Sequence, residues 1–426
     1  MVSHRINYSI FLVCYSFFYS RDRGGTMNII VQKFGGTSVA SQENREKVMN
    51  KIIKQYESGY NTVAVVSAMG RMGDPYATDT LLSLVSNQKI HLREKDLLMS
   101  CGEVISAVIL SNLLNSNGYE SIVLTGHQAG IITDDNFGSA KVLKVNPNRI
   151  LKSLNQGKIV IVTGFQGATE DGDITTLGRG GSDTSAVLIG EALNCEYVEI
   201  YTDVDGIMTA DPRIVPEARV LEKMCYSEVH QLAEEGARVI HPKAVEIAKR
   251  SRIKLIIKNT LNECAGTIIK DKNDWNFDKD IGQKLISAIT YKKNRAQVVV
   301  DKCDNTNTEK LLSLVAEDNI SLDLINFFVD KKAFTIDEND IEHIVNILND
   351  GKYTYKIVQD CCKISIIGYK IRGIPGVMAS IVKALSKEGI DILQTSDSYT
   401  TIWCLIKSKD MDKCLNILHK EFNLGI

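Results

Sequence analysis

No two cysteines in this sequence stand at CxxC spacing, and none joins a histidine in a zinc-binding pattern, although there are ten of them. That lack argues against the common structural zinc modules and leaves the thiols reading as reduced, unpaired groups. Adjacent Cys361 and Cys362 would face opposite sides of a strand, so they too are poor partners for one metal. An excess of charge is missing as well. Fifty basic residues against 52 acidic ones give a formal net charge of −2, so no basic field points to nucleic acid. Long polar stretches are absent, and 44% hydrophobic with 24% charged residues is the balance of a globular chain. The GxxxxGK[ST] phosphate loop does not occur, and the acidic pair Asp203 and Asp205 fails the later positions of a calcium-binding EF-hand loop. One apolar run near the start, residues 10–19, is too short to cross a bilayer as a helix. It looks like the core of a targeting peptide. A strand pattern begins afresh after Met27, and the preferred reading makes residues 1–26 an extension outside the working protein.

What is present alternates. Residues 29–32 form a β-branched run ending at Gly35-Gly36, and residues 44–56 carry apolar side chains at helical spacing. Further strands are expected at 62–66, 122–124, 159–162, 198–201 and 255–257, and helices at 104–114, 184–192 and 229–235. Strands alternating with helices imply an α/β sandwich around a mostly parallel sheet, whose ligands sit at the carboxyl ends of the strands. A polar linker is expected over 271–284. Beyond it the pattern repeats: helix, Asp318-Asn319-Ile320, strand, then helix, Glu388-Gly389-Ile390, strand. With their flanking elements these read as two βαββαβ modules, residues 285–360 and 361–426.

The polar motifs fall at the strand ends. Lys33-Phe34-Gly35-Gly36 follows the first strand, where glycines let an anion approach the backbone and a lysine can bridge β- and γ-phosphates; a plain tight turn would look the same. Ser67-Ala68-Met69-Gly70 ends the second expected strand. Thr78-Asp79 reads either as a helix cap or as a substrate contact. Glu103 precedes a strongly apolar helix and suits either the helix N-terminus or a substrate ammonium. Gly178-Arg179-Gly180-Gly181-Ser182-Asp183 is the most informative segment: a planar guanidinium for a carboxylate, glycines that clear space, and a helix N-terminus that attracts anions. Asp183 fits as an organiser of Lys33 or as a contact to magnesium-bound water. His241, in Gly236–Pro242, reads as structural.

The strings VQKFGGTSV, VVSAMG, LMSCGE, TLGRGGSDTSAV, IYTDVDGIMTADPR and GARVIHPKAVE, in this order, resemble the aspartokinases, within the wider amino acid kinase family. The likeness continues through a pair of ACT-type modules. It implies a three-layer amino acid kinase sandwich over residues 27–270, followed by two ferredoxin-like regulatory modules. It implies transfer of a phosphoryl group from ATP, carrying Mg²⁺, to the side-chain carboxylate of aspartate, with no metal held by the protein itself. The catalytic group would be Lys33, Arg179 and Asp183. Thr78, Glu103, Arg179, Gly180, Gly181 and Ser182 would bind aspartate. Lys33, Phe34, Gly35, Gly36, Ser67, Thr202, Asp203, Arg238 and Val239 would bind ATP. An inhibitory amino acid (lysine, threonine or diaminopimelate) would lie at Ile374, Pro375, Gly376 and Val377, with Gln394 and Ser396; the segment 389–406 resembles the diaminopimelate-sensitive subgroup. A cytoplasmic homo-oligomer joined through the modules is expected. Another acyl-phosphate-forming amino acid kinase and a non-catalytic sensor are the competing readings. Loss of Lys33, Arg179 or Asp183 would mark the sensor, and all three are present.

Overall fold

The computed structural model describes residues 27–85, 90–237, 239–271, 274, 286–301, 305–368 and 371–425. The extension 1–26, Arg238 and most of the linker 271–284 lie outside the described residues.

The first lobe is built on strands β1 (Ile29–Phe34), β2 (Asn61–Val66), β3 (Ser121–Leu124), β4 (Ile131–Thr133), β5 (Val142–Val145), β6 (Ile159–Thr163), β7 (Gln166–Ala168), β8 (Ile174–Thr176), β9 (Tyr197–Thr202), β10 (Lys223–Cys225), β11 (Lys254–Asn259) and β12 (Thr267–Lys270). Eight of them form one sheet in the order β10-β12-β11-β9-β1-β2-β6-β3, parallel throughout except for β11 against β12. Side chains alternate across it. Val63, Val65, Val160 and Val162 face one apolar layer, which includes Ala186, Val187 and Ile189 of the helix Gly181–Ala192. Ala64, Val66, Ile159 and Ile161 face the other, which includes Val48 and Ile52 of Gln42–Glu57 and Leu110 and Leu114 of Leu92–Ser116. Both faces are covered, so β2 and β6 read as continuous apolar runs. Burying each such valine, leucine or isoleucine contributes about 1.5–3 kcal/mol. Leu92–Ser116 is long and apolar enough to cross a membrane; here it packs on the sheet through Leu110 and Leu114. This helix begins twelve residues before the expected start at 104, because polar residues 93–96 mask its first turns.

Strands β4, β5, β7 and β8 make a separate small sheet, ordered β5-β4-β7-β8, that sequence patterning did not foresee. Three or four residues are too few to establish a period.

The regulatory part is a six-stranded antiparallel sheet ordered β14-β15-β13-β16-β18-β17, with β13 (Ala288–Asp301), β14 (Asp323–Phe327), β15 (Lys331–Asp337), β16 (Thr354–Ile367), β17 (Gln394–Asp397) and β18 (Thr401–Lys407). Two consecutive modules divided at 360/361 do not describe it. Ala288–Lys292, the first part of β13, pairs with Lys363–Ile367 of β16, whereas Arg295–Asp301 pairs with Thr354–Cys361. The pairing shifts register between Lys292 and Gln297, near Asn294 and Asp360, which both have positive φ (57° and 54°). The second module therefore takes its fourth strand from ahead of the first module, which is inserted within it. Gln394 on β17 donates to Asn326 Oδ1 on β14 at 2.5 Å, so the sheet curls until its two outer strands meet.

Candidate active site

The site forms where β1 and β2 end beside the N-terminus of Gly181–Ala192. Lys33 is the fifth residue of β1, and Asp183 lies in the first turn of that helix. Lys33 Nζ is 2.7 Å from Asp183 Oδ1, which has no hydrogen-bonding partner beyond that ammonium. The other oxygen, Oδ2, accepts from the His241 backbone N–H at 3.2 Å. The two polar ends thus hold each other in place at the pocket wall.

Tight backbone approaches shape the cradle. The backbone N–H of Gly70 donates to the Gly36 carbonyl at 3.0 Å. A Cβ on Gly36 would sit 2.8 Å from the carbonyl oxygens of both Ala68 and Gly70, so no side chain fits there. Gly180 has φ 68°, and a Cβ on it would lie 2.1 Å from His241 Cγ. The His241 ring therefore packs against Gly180, and its Nδ1 accepts from the Lys243 N–H at 3.3 Å, capping the helix Pro242–Ser251. Burial lowers the His241 pKa, in keeping with an unprotonated Nδ1.

Glu103 is 2% exposed. Its Oε1 accepts from the Ala68 N–H at 3.1 Å, and its Oε2 has no partner. Burial pushes its pKa up to about 8, against the lowering effect of the Ala68 hydrogen bond. A buried carboxyl with one empty oxygen facing a cavity is suited to a cationic ligand group. Arg179 is exposed and makes no ion pair among the described residues, so its guanidinium is available to an anion. Residues 182 and 183 add N–H groups of the first helical turn, which lack intrahelical acceptors.

One cavity of about 280 Å³ is lined by Lys33, Gly36, Ser67, Thr78, Glu103, Arg179, Gly180, Gly181, Ser182 and Asp183, all expected from the sequence. Ala68, Gly70, Phe165 and Gly178 also line it. Phe165 had no signal in the sequence; it is held at φ 69°, with its N–H donating to Ser185 Oγ at 3.1 Å. A larger depression of about 520 Å³ lies on the small sheet, but its Lys144 and Glu170 already pair with each other at 2.8 Å.

Other expected residues are placed differently. The Phe34 ring is fully buried and stacks on Tyr201 at 4.8 Å, so only its backbone faces the strand end. The Gly35 N–H donates to the Tyr201 carbonyl at 3.3 Å. Thr202 and Asp203 lie at the end of β9, where Asp203 pairs with Arg71 at 2.7 Å and draws the 71–76 loop across. Val239 packs partly buried against the core. Among the described residues no three His, Cys, Asp or Glu side chains gather as a metal site. In the regulatory part, Ile374, Pro375 and Gly376 form an exposed turn before the helix Val377–Lys387, with Gly376 left-handed at φ 94°. Gln394 is buried; besides Asn326 its amide donates to the Leu324 carbonyl, and its oxygen accepts from Gln297 Nε2 at 2.9 Å.

A lysine–aspartate pair at the strand ends of a two-sided α/β sandwich, with a free arginine and a buried carboxyl in the same cavity, defines a phosphotransferase of the amino acid kinase class. The sequence profile of the amino acid kinase family matches residues 28–259, and that of the ACT domain matches residues 356–420. Aspartokinase 1 of Bacillus subtilis is 43% identical over 94% of this chain and 100% of its own length. The aspartokinase of Geobacillus stearothermophilus is 37% identical over 94% and 98%. In fold, the aspartate kinase of Clostridium acetobutylicum superposes with a TM-score of 0.76 at 23% identity, covering 92% of this chain and all of that one. Escherichia coli aspartokinase III, in complex with aspartate and ADP, gives 0.74 at 23% identity, over 92% and 99%. The chain belongs to the aspartokinases: it is an ATP-dependent kinase of the aspartate carboxyl group, subject to allosteric control.

Proposed function

We propose that this enzyme forms 4-phospho-L-aspartate with Lys33 and Asp183 as the phosphoryl-transfer pair and with Glu103 and Arg179 as the two ends of the aspartate clamp. The observation that carries this reading is the convergence of all four polar groups on one cavity of about 280 Å³. MgATP enters as the substrate. The acceptor carboxylate is ionised at neutral pH and needs no general base. The chemical obstacle is repulsion between two anions. Lys33 offsets charge on the transferring group, and the helix N-terminus at 182–183 adds N–H donors. Glu103 takes the aspartate ammonium, Arg179 takes a carboxylate in bidentate fashion, and Thr78, Ser182 and the glycines shape the wall. Ser67, Gly35, Thr202, Asp203, Arg238 and Val239 are assigned to the nucleotide side.

The kinase lobe is taken as 27–270. A homodimer is proposed through the edge strand β14 and the turn that follows it, where Ile325, Phe327, Phe328 and Val329 are 48–98% exposed. An inhibitory amino acid is placed at Ile374–Val377 and Ser396; contact with Gln394 requires that side chain to exchange its present partners. A cytoplasmic location is proposed, with the cysteines among the described residues outside any disulfide.

The test is MgATP-dependent acyl phosphate formation trapped with hydroxylamine, offered aspartate, glutamate or acetylglutamate, each with lysine, threonine or diaminopimelate added. Hydroxamate from aspartate alone is expected, and the suppressing amino acid names the effector. Equal yield from glutamate overturns the clamp assignment.

A further inference from the structure

The buried carboxylate of Asp96 is outside the cavity and touches none of the groups assigned so far. It is fully buried on the helix Leu92–Ser116 and has no basic partner among the described residues. Three donors satisfy it instead. The Thr176 N–H donates to Oδ2 at 2.7 Å and the Thr176 hydroxyl to Oδ1 at 2.9 Å; the Gly138 N–H donates to Oδ2 at 2.8 Å. A buried anion without a counter-charge is costly, and an apolar residue would serve plain packing better.

The donors come from two segments, one of which runs into the cavity wall at Gly178. Thr176 ends β8, two residues before Gly178 and three before Arg179. The Thr176 carbonyl accepts from the Ala140 N–H at 2.8 Å. Gly178, left-handed at φ 72°, leaves only 3.4 Å between a built Cβ and the Gly138 carbonyl oxygen. Asp96 therefore fastens the 138–140 turn and the 176–178 segment to each other and to the helix. Seven residues further along the same helix, two turns on and on the same side, stands Glu103. A single rigid helix thus holds Glu103 directly and the root of the Arg179 loop through Asp96.

We infer that Asp96 is a positioning residue that sets the spacing between Glu103 and Arg179, and through it the length of dicarboxylic amino acid the site accepts. This rests on the assignment of Glu103 and Arg179 as the aspartate clamp. Asp96→Asn removes the charge: its amide oxygen can keep the two N–H donors, and its Nδ2 then faces the Thr176 hydroxyl, which must turn from donor to acceptor. Thr176→Val removes only the hydroxyl bond and keeps the backbone one. In the full-length enzyme, KM for aspartate is expected to rise about tenfold or more in Asp96→Asn and by less in Thr176→Val, the loss of hydrogen bonds to a charged group. KM for ATP should stay within about twofold, because the nucleotide side is not attached to this anchor. The preference for aspartate over glutamate, read as the ratio of kcat/KM values, should narrow. Arg179→Ala is run beside them. If Arg179→Ala raises the aspartate KM and neither anchor variant does, the inference fails and the clamp stands. If both KM values rise alike in step with a lowered Tm, Asp96 is only structural and the inference fails. If Arg179→Ala leaves the aspartate KM unchanged, the clamp assignment falls and this inference with it. Should Asp96→Asn not fold, Thr176→Val decides alone.

Discussion

Lys363 Nζ lies 2.8 Å from Glu235 Oε2, and the two residues belong to different lobes. Glu235 follows the kinase-lobe helix Tyr226–Glu234, and Lys363 sits on β16 at the centre of the regulatory sheet. The same ammonium is 2.5 Å from Asp323 Oδ2 on the edge strand β14. Ser365 Oγ adds a hydrogen bond to Glu235 Oε2 at 2.8 Å. One buried cation therefore serves two carboxylates and joins the kinase lobe, the shared strand and the first module.

Replacing that cation with an apolar side chain, Lys363→Met, takes the shared ammonium from both carboxylates, leaving Glu235 the Ser365 hydroxyl and Asp323 the more distant Arg295 at 3.7 Å. Breaking a buried pair from one side costs about 3–5 kcal/mol, so a clear fall in Tm is expected by calorimetry. Glu235→Gln and Asp323→Asn added to Lys363→Met should recover much of it. The pH dependence follows the same logic. Burial raises the Asp323 pKa, but the Lys363 hydrogen bond and charge outweigh it and hold the carboxyl below its ordinary value. A carboxyl lowered by folding stabilises above its unfolded pKa, and that stability is lost as pH falls through the folded one. Acid should therefore weaken the wild type more steeply than Lys363→Met. Equal melting of the two proteins at neutral pH would refute the assignment.

Lys33 has a narrower task. Its ammonium is fixed by Asp183 at 2.7 Å and faces the cavity. Lys33→Met should lower kcat by about 10²–10³-fold or more, the usual loss for one preorganised charge-stabilising group. The Tm should fall too, because the Asp183 Oδ1 left behind is buried and has no other partner, so turnover is compared at a temperature where both proteins are folded. Asp183→Asn should lower kcat by less, since it disorders Lys33 without removing it. Near-normal turnover in Lys33→Met would remove Lys33 from the mechanism.

With Glu103 as the proposed ammonium site, aspartate binding is expected to depend on pH. Its carboxyl is pushed up to about 8 by burial. Folding therefore favours the protonated form, and stability of the empty enzyme should decline as pH rises from about 4.5 toward 8, by at most about 1.4 kcal/mol per pH unit. An aspartate ammonium beside the vacant Oε2 favours the ionised form. Binding then expels a proton below pH 8, and aspartate affinity should rise with pH up to about 8 and level off. Calorimetry in buffers of different ionisation enthalpy reads the proton directly. Glu103→Gln should abolish the release; an unchanged release in that variant would assign the proton to another group.

These residues show what a sequence discloses and what it withholds. The places of Lys33, Arg179 and Asp183 at the cavity were legible because each sits beside glycines in a loop or first helical turn at a strand end, where polar groups need a reason to be; Glu103 was picked out as a lone carboxylate before an apolar run, although it lies mid-helix and not at the expected helix start. The alternation of strands with helices gave the layers. Phe34 was not legible: its neighbours in the KFGG string face the site, but its ring fills the core against Tyr201. Asp96 was invisible because its role depends on Thr176 and Gly138, far along the chain. Gln394 read as a ligand contact because strand polarity cannot reveal that the curled sheet would bury its amide against Leu324 and Asn326. The nested strand was missed for a related reason. Residues 288–292 precede the first module, and periodicity identifies a strand without naming its partner.

That nesting governs which pieces of the regulatory part can stand alone. The first module has its own core, Ala296, Val298, Val300, Leu311, Val315, Phe334, Ile336 and Leu348, drawn from residues 295–360. A fragment spanning 294–360 should fold. A fragment spanning 361–426 lacks its fourth strand, so Lys363–Ile367 has an open edge where Ala288–Lys292 belongs. Its core also loses Ile289 and Ile286, which pack with Ile364, Ile366, Ile381 and Leu415. A strand open on one edge and bearing Ile364, Ser365, Ile366 and Ile367 in succession invites association. Fragment 361–426 should therefore show no cooperative melt by circular dichroism and should aggregate. Appending residues 286–292 after residue 425 through a short Gly/Ser linker supplies the missing strand in the chain order of an ordinary βαββαβ module, and should restore a cooperative transition. A well-dispersed, cooperatively melting 361–426 on its own would mean that the borrowed strand is dispensable.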